Sequence, residues 1–249
     1  MNNAVKYIKT ESFRLAVLLR GDENSNKLAI LIPGRLDTKD YANFVSHADY
    51  LASHGFLTLS FDPPGTWESQ GKIEDYTTTN YIKAVNEIIK YFGNRPTLLF
   101  GHSRGGTVAM LICMQNPAIN GMVLIMANYG PPTPISKKTN GFIVSYRDLP
   151  PGTSKTKEQK KFELPISYWE DGQEYNPSMA LEKCTKPKLL IYGTKVEFIS
   201  PKEVKMIYQR IPEPKMIIEV KSEHDYRRDI NAIKKVNNSI GNFLEKYHF

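Results

Sequence analysis

Thr97-Leu98-Leu99-Phe100-Gly101-His102-Ser103-Arg104-Gly105-Gly106-Thr107-Val108-Ala109-Met110-Leu111-Ile112 is the stretch whose reading decides the fold. Residues 97–100 form a short apolar run, as a buried strand does. Residues 107–114 are apolar on every side, which fits a helix packed against a sheet. Between them lies Gly101-x-Ser103-x-Gly105. In that strand–turn–helix setting the sharp turn holds Ser103 in a strained conformation at the head of the helix. The two glycines let strand and helix approach closely. By composition alone the pattern arises by chance in roughly one chain in ten of this size. The strand before it and the helix after it therefore carry the weight. A phosphate-binding loop is the rival reading of Gly101 and Gly106, but Thr107 stands where the phosphate-reaching lysine belongs.

Working outward, similar apolar runs recur at residues 28–32, 56–61, 122–126, 188–192 and 216–220. Helix-spaced apolar positions lie between them, at 41–52 and 81–92, and again at 230–247. Two β-rich runs at residues 5–8 and 13–19 predict an antiparallel pair at the start. The alternation predicts an α/β fold with a mostly parallel sheet and helices on both faces. Residues 130–185 break the rhythm with seven prolines, a lysine run and several aromatics. A connection that long inside a compact domain is functional or disordered, and its aromatics favour an ordered insertion.

The chain has 249 residues, 41% of them hydrophobic and 24% charged. That composition excludes a disordered or collagenous chain, and two cysteines exclude a disulfide-stapled scaffold. Cys113 and Cys184 sit in no metal or redox spacing and point to reduced thiols and a cytoplasmic setting. The net charge of +7 is spread along the chain. Its densest run, Lys155, Lys157, Lys160 and Lys161, reads as a solvated face, and no nucleic-acid partner is expected. No apolar stretch reaches the roughly 18 residues of a membrane span, so stable membrane insertion is not expected either.

On these residues the chain resembles the α/β-hydrolase superfamily over essentially its whole length, as a single domain at 1–249. Pro33-Gly34-Arg35 resembles the loop that supplies one oxyanion-stabilising N–H, and Arg104, after the serine, would supply the other. Residues 62–69 are similar to the family's D-x-x-G-x-G-x-S segment, with Trp67 at the second glycine. Residues 131–183 occupy the family's position for a lid between strands six and seven. The resemblance implies Ser103 as nucleophile and His224, between the last strand and the last helix, as general base. His47 and His54 read as lying on a surface helix, and His102 as pointing away from the turn.

The acid departs from the pattern. After strand seven the family reads Gly-x-x-Asp, but this chain has Gly193-Thr194-Lys195-Val196-Glu197. Val196 cannot accept a hydrogen bond or hold the tautomer of a histidine. Three readings stand open: Glu197 reaches back to His224; another carboxylate substitutes, such as Asp225, Glu170, Asp171 or Glu174; or the triad is incomplete.

The expected function is that of a serine hydrolase, a carboxylesterase acting on small to medium acyl or aromatic esters through an acyl-enzyme on Ser103. Thioester and peptide substrates stay open. Tyr168 and Trp169 are candidates for a substrate pocket, with ordinary lid core as the plainer reading. No cofactor or metal motif is present in the sequence. The alternative is an impaired or non-catalytic ligand-binding homologue, for which Val196 speaks. A membrane-surface lipase would need an apolar lid face, whereas this insertion is rich in lysine and proline.

Overall fold

A computed structural model describes residues 5–132 and 141–249. Eight strands form the main sheet: β1 (Lys6–Lys9), β2 (Arg14–Arg20), β3 (Leu28–Ile32), β4 (Leu57–Phe61), β5 (Thr97–His102), β6 (Ile119–Ile125), β9 (Lys188–Gly193) and β10 (Lys215–Val220). Their order across the sheet is β1-β2-β4-β3-β5-β6-β9-β10. β1 pairs antiparallel with β2, and β2 with β4; every other neighbour pair is parallel.

The apolar runs form strands because both faces of the sheet are covered. Side chains alternate between the two cores, as the period of a strand requires. Leu28, Ile30 and Ile32 of β3 enter one core, while Ala29 and Leu31 enter the other. On the first face lie α2 (Thr78–Tyr91), α3 (Arg104–Ile112) and α6 (Pro201–Arg210); on the second, α1 (Ala42–Ser53) and α7 (Ile230–Lys246). Every residue of α3 is buried, which explains the absence of a polar stripe in its sequence. Leu99 on β5 is fully buried, and its truncation to alanine costs about 2–5 kcal/mol through lost transfer energy and the cavity left behind.

The α1–α7 contact overturns the surface reading of His47. Its imidazole is fully buried, with Nδ1 2.5 Å from Asn237 Oδ1 and Nε2 2.8 Å from Tyr226 Oη. Burial pushes His47 down to about 4. His54, by contrast, is exposed.

Between β6 and β9, the sixth and seventh strands of the sheet, lie β7 (Phe142–Asp148), β8 (Gln159–Pro165), α4 (Ser167–Gln173) and α5 (Pro177–Glu182). β7 and β8 form a separate antiparallel pair. Phe162, Tyr168, Trp169 and Leu181 anchor the segment in the first core. Trp67 adopts φ 44, a left-handed conformation that glycine takes more readily. Its Nε1–H donates to the Leu36 carbonyl at 2.9 Å, and its ring packs edge-on against Tyr41 and Phe162. Cys113 and Cys184 are buried and free.

Candidate active site

β3, β5, β9 and β10 run parallel, so the loops after them emerge at one end of the sheet, the usual ligand-binding end of open α/β sheets. Ser103 sits between β5 and α3 at φ 51, ψ −115. A non-glycine residue there costs about 1–3 kcal/mol and persists only when its surroundings fix it. Here its N–H donates to the Ile125 carbonyl at 3.0 Å. Its carbonyl accepts from the Gly106 N–H at 3.0 Å and the Asn128 N–H at 3.3 Å. Gly105 is required because a Cβ there would overlap the Ile32 carbonyl. The Ser103 side chain does not cap α3. Its Oγ instead lies 2.9 Å from His224 Nε2.

His224 follows β10. Its loop is tied to the loop after β9 by Thr194 N–H donating to Val220 O at 3.0 Å and Lys195 N–H to Ser222 O at 3.1 Å. Its ring stacks on His102 at 4.8 Å between centroids and meets the Phe198 ring edge-on at 4.7 Å. Burial, and then the neighbouring His102, push its pKa down to about 3, against the opposing pull of Asp37 and Asp225. To accept the Ser103 proton, Nε2 must be bare and Nδ1 must carry the hydrogen. Nδ1 is buried and, among the described residues, has no partner.

None of the carboxylates weighed as the acid takes that place. Glu197 is exposed and makes no hydrogen bond to His224 among the described residues. It lines the same cavity as His224 but does not reach Nδ1, so the hydrogen bond expected of Glu197 is absent. Val196 is half-buried, with its methyl groups packed against the core. Asp225 is engaged by Arg227 at 2.6 Å and Arg228 at 3.6 Å. Asp171 accepts the Thr78 and Thr79 N–H groups at the start of α2, at 2.6 and 3.1 Å. Glu170 and Glu174 are exposed.

Ser103 and His224 open on a cavity of about 680 Å³, lined also by Arg35, Arg104, Tyr168 and Trp169. Tyr168 and Trp169 are buried as well as lining, so they serve the core and the cavity together. Among the described residues, the main-chain N–H groups of Arg35 and Arg104 donate to no carbonyl outside the regular elements.

Two features have little signal in the sequence. His102 turns away from Ser103, and its Nδ1–H donates to Asp37 Oδ2 at 3.0 Å. Burial alone would raise the Asp37 carboxyl. The hydrogen bond from His102 and the charges of Arg147, His102 and Arg227 outweigh it and hold the group well below the usual carboxylate range. The second feature is Arg147 of β7, which reaches the cavity and donates to the Arg35 carbonyl. Nothing marks it apart from other arginines in the sequence; only the strand pairing of the insertion brings it over the site.

Among the described residues no cluster of His, Cys, Asp or Glu could hold a metal ion, and no helix is long and apolar enough to cross a membrane. The model of the alpha/beta hydrolase fold family matches residues 29–163. With the sheet order and the turn at Ser103, this shows that the chain belongs to that family: hydrolase is the class that fold and family define. Among curated relatives, mouse palmitoyl-protein thioesterase ABHD10, mitochondrial, is 24% identical over 211 residues, covering 80% of this chain and 68% of that protein. The solved structure of mouse alpha/beta hydrolase domain-containing protein 10 has a TM-score of 0.77 at 19% identity, over 98% of this chain and 100% of that one. Est1E from Butyrivibrio proteoclasticus, solved with bound ferulic acid, has a TM-score of 0.77 at 19% identity, over 97% of this chain and 98% of its own.

Proposed function

We propose that this chain is a serine hydrolase of acyl esters and thioesters, working through Ser103 and His224 without a third, acidic partner. The carrying observation is the contact of 2.9 Å between Ser103 Oγ and His224 Nε2 at a strained, glycine-flanked turn. A neutral His224 takes the Ser103 proton as Oγ attacks the acyl carbon. The N–H groups of Arg35 and Arg104 hold the oxyanion of the tetrahedral intermediate. His224 returns the proton to the leaving group, and water repeats the sequence to release the acid.

The unpartnered Nδ1 favours thioesters within this reading. A thiolate leaves with less help from a general acid than an alkoxide does, because a thiol has a pKa near 8.5. The thioesterase name of the mouse relative supports the thioester arm of the substrate class.

Hydrolysis of p-nitrophenyl esters from acetate to laurate, and of the same acyl groups on thiocholine, tests the proposal. Turnover above background that Ser103→Ala abolishes is the expected result. Rates equal to those of Ser103→Ala would favour a second reading, a ligand-binding homologue, which the orphaned His224 Nδ1 supports.

A further inference from the structure

The wall of the cavity beside Ser103 holds five basic side chains, Arg35, Arg104, Arg147, Lys155 and Arg228, against the three acidic ones Glu197, Glu223 and Asp225. Arg104 is only 5% exposed. Its guanidinium donates to Thr78 Oγ1 and lies 5.1 Å from the centre of the Tyr168 ring. Arg147 donates to a main-chain carbonyl, while its Nε is buried and without a partner. Arg35 lines the same cavity. Among the described residues none of these three arginines forms an ion pair, whereas Arg228, also at the wall, is held by Asp148 at 2.6 Å. The acids at the wall are Glu197, Glu223 and Asp225, and Asp225 is already paired with Arg227.

Arg35 is exposed, but Arg104 is buried and Arg147 half-buried, with Asp37 acting on Arg147 from beyond ion-pair distance; a cation held there without a paired carboxylate is costly, and an anion bound beside it repays that cost. Guanidinium forks match carboxylates and phosphates in two-point contacts. We infer that the substrate carries, besides its scissile acyl bond, an anionic group that Arg147 binds together with Arg104 and Arg35. This rests on the reading of Ser103 as nucleophile, and it narrows the substrate to acidic esters or thioesters.

The test is binding to the non-cleaving Ser103→Ala protein by calorimetry, with monomethyl adipate against dimethyl adipate. The two differ by one charge at nearly constant size. The half-ester binds at least about tenfold tighter, and added salt erodes that advantage. Arg147→Gln, and Arg104→Lys as a variant that keeps the buried charge, bring the ratio toward one. A parallel pair, acetoxyethyl phosphate against its neutral dimethyl phosphate triester, reports whether the anion belongs to the leaving group. A charge preference in either pair supports the inference. Equal affinities within both pairs, or no binding of either anion at millimolar concentration, would overturn it. Labelling of Ser103 by a fluorophosphonate is measured separately on the unaltered chain. The nucleophile reading can thus fail while the charge preference stands, and the reverse.

Discussion

His224 holds Nε2 2.9 Å from the Ser103 hydroxyl oxygen, while the opposite nitrogen of the same ring is buried with no partner. The geometry of proton transfer is therefore in place, but the reactive tautomer has nothing to hold it. Val196 stands where the family's acid belongs, on a loop hydrogen-bonded to that of His224. Val196→Asp should supply the acceptor and raise kcat/KM by about 10²–10⁴, the range that the acid contributes in serine proteases. Steady-state kinetics with p-nitrophenyl butyrate checks this. A gain below about threefold would mean that the loop does not bring position 196 to the ring.

Glu197 is the opposite case. It is exposed and makes no hydrogen bond to His224 among the described residues. Glu197→Gln should change kcat by less than about threefold, since loss of a true acid costs about 10⁴. A hundredfold loss would show that the loop rearranges during turnover to bring the carboxylate in.

The pH profile carries its own signature. A general base acts only when unprotonated, so kcat/KM falls as pH drops through the pKa of His224. Burial and His102 have pushed that value from 6.5 to about 3. The rate should be flat from about pH 5 to about pH 8. In Val196→Asp the acidic limb should move up, because a carboxylate favours the charged ring. An inflection near the ordinary histidine value in the unaltered chain would contradict the buried, unsupported imidazole.

Asp37 acts through others. It is a buried carboxylate hydrogen-bonded to His102, whose ring stacks on His224, and its charge favours protonation of His224. Asp37→Asn keeps the hydrogen-bond acceptor and removes the charge. The imidazolium formed during attack loses that support, and kcat should fall about tenfold, or about 1.4 kcal/mol, with KM little changed. The measurement belongs well below the unfolding temperature of the variant. An unchanged kcat would leave Asp37 with a purely structural role.

The parts of the site written in local sequence were legible. Ser103 lies where an apolar strand meets an all-apolar helix, and His224 lies between the last strand and the last helix. The alternation of apolar runs likewise spelled the parallel sheet. What stayed hidden depends on tertiary neighbours. His47 looked like a surface residue because only the packing of α7 on α1 buries it. α6 is a different case: Val204, Ile207, Tyr208 and Ile211 keep the spacing of one helix face and pack on the first core, but the stripe spans one short helix and is only partly buried. Asp37 and His102 are 65 residues apart, and only the pairing of β3 with β5 brings them together. Arg147 waits on the β7–β8 pair, whose irregular, proline-flanked sequence gives no clean alternation.

The most direct measurement is covalent labelling of the unaltered chain by a fluorophosphonate, read by intact mass and located by peptide mapping. A nucleophilic Ser103 backed by His224 takes up one phosphonyl group, at Ser103. Ser103→Ala takes up none, and Val196→Asp reacts faster than the unaltered chain. If the unaltered chain stays unlabelled under conditions that modify Val196→Asp, the missing acid has silenced the serine. If neither protein is labelled, Ser103 is not a nucleophile and the acyl-transfer reading is wrong.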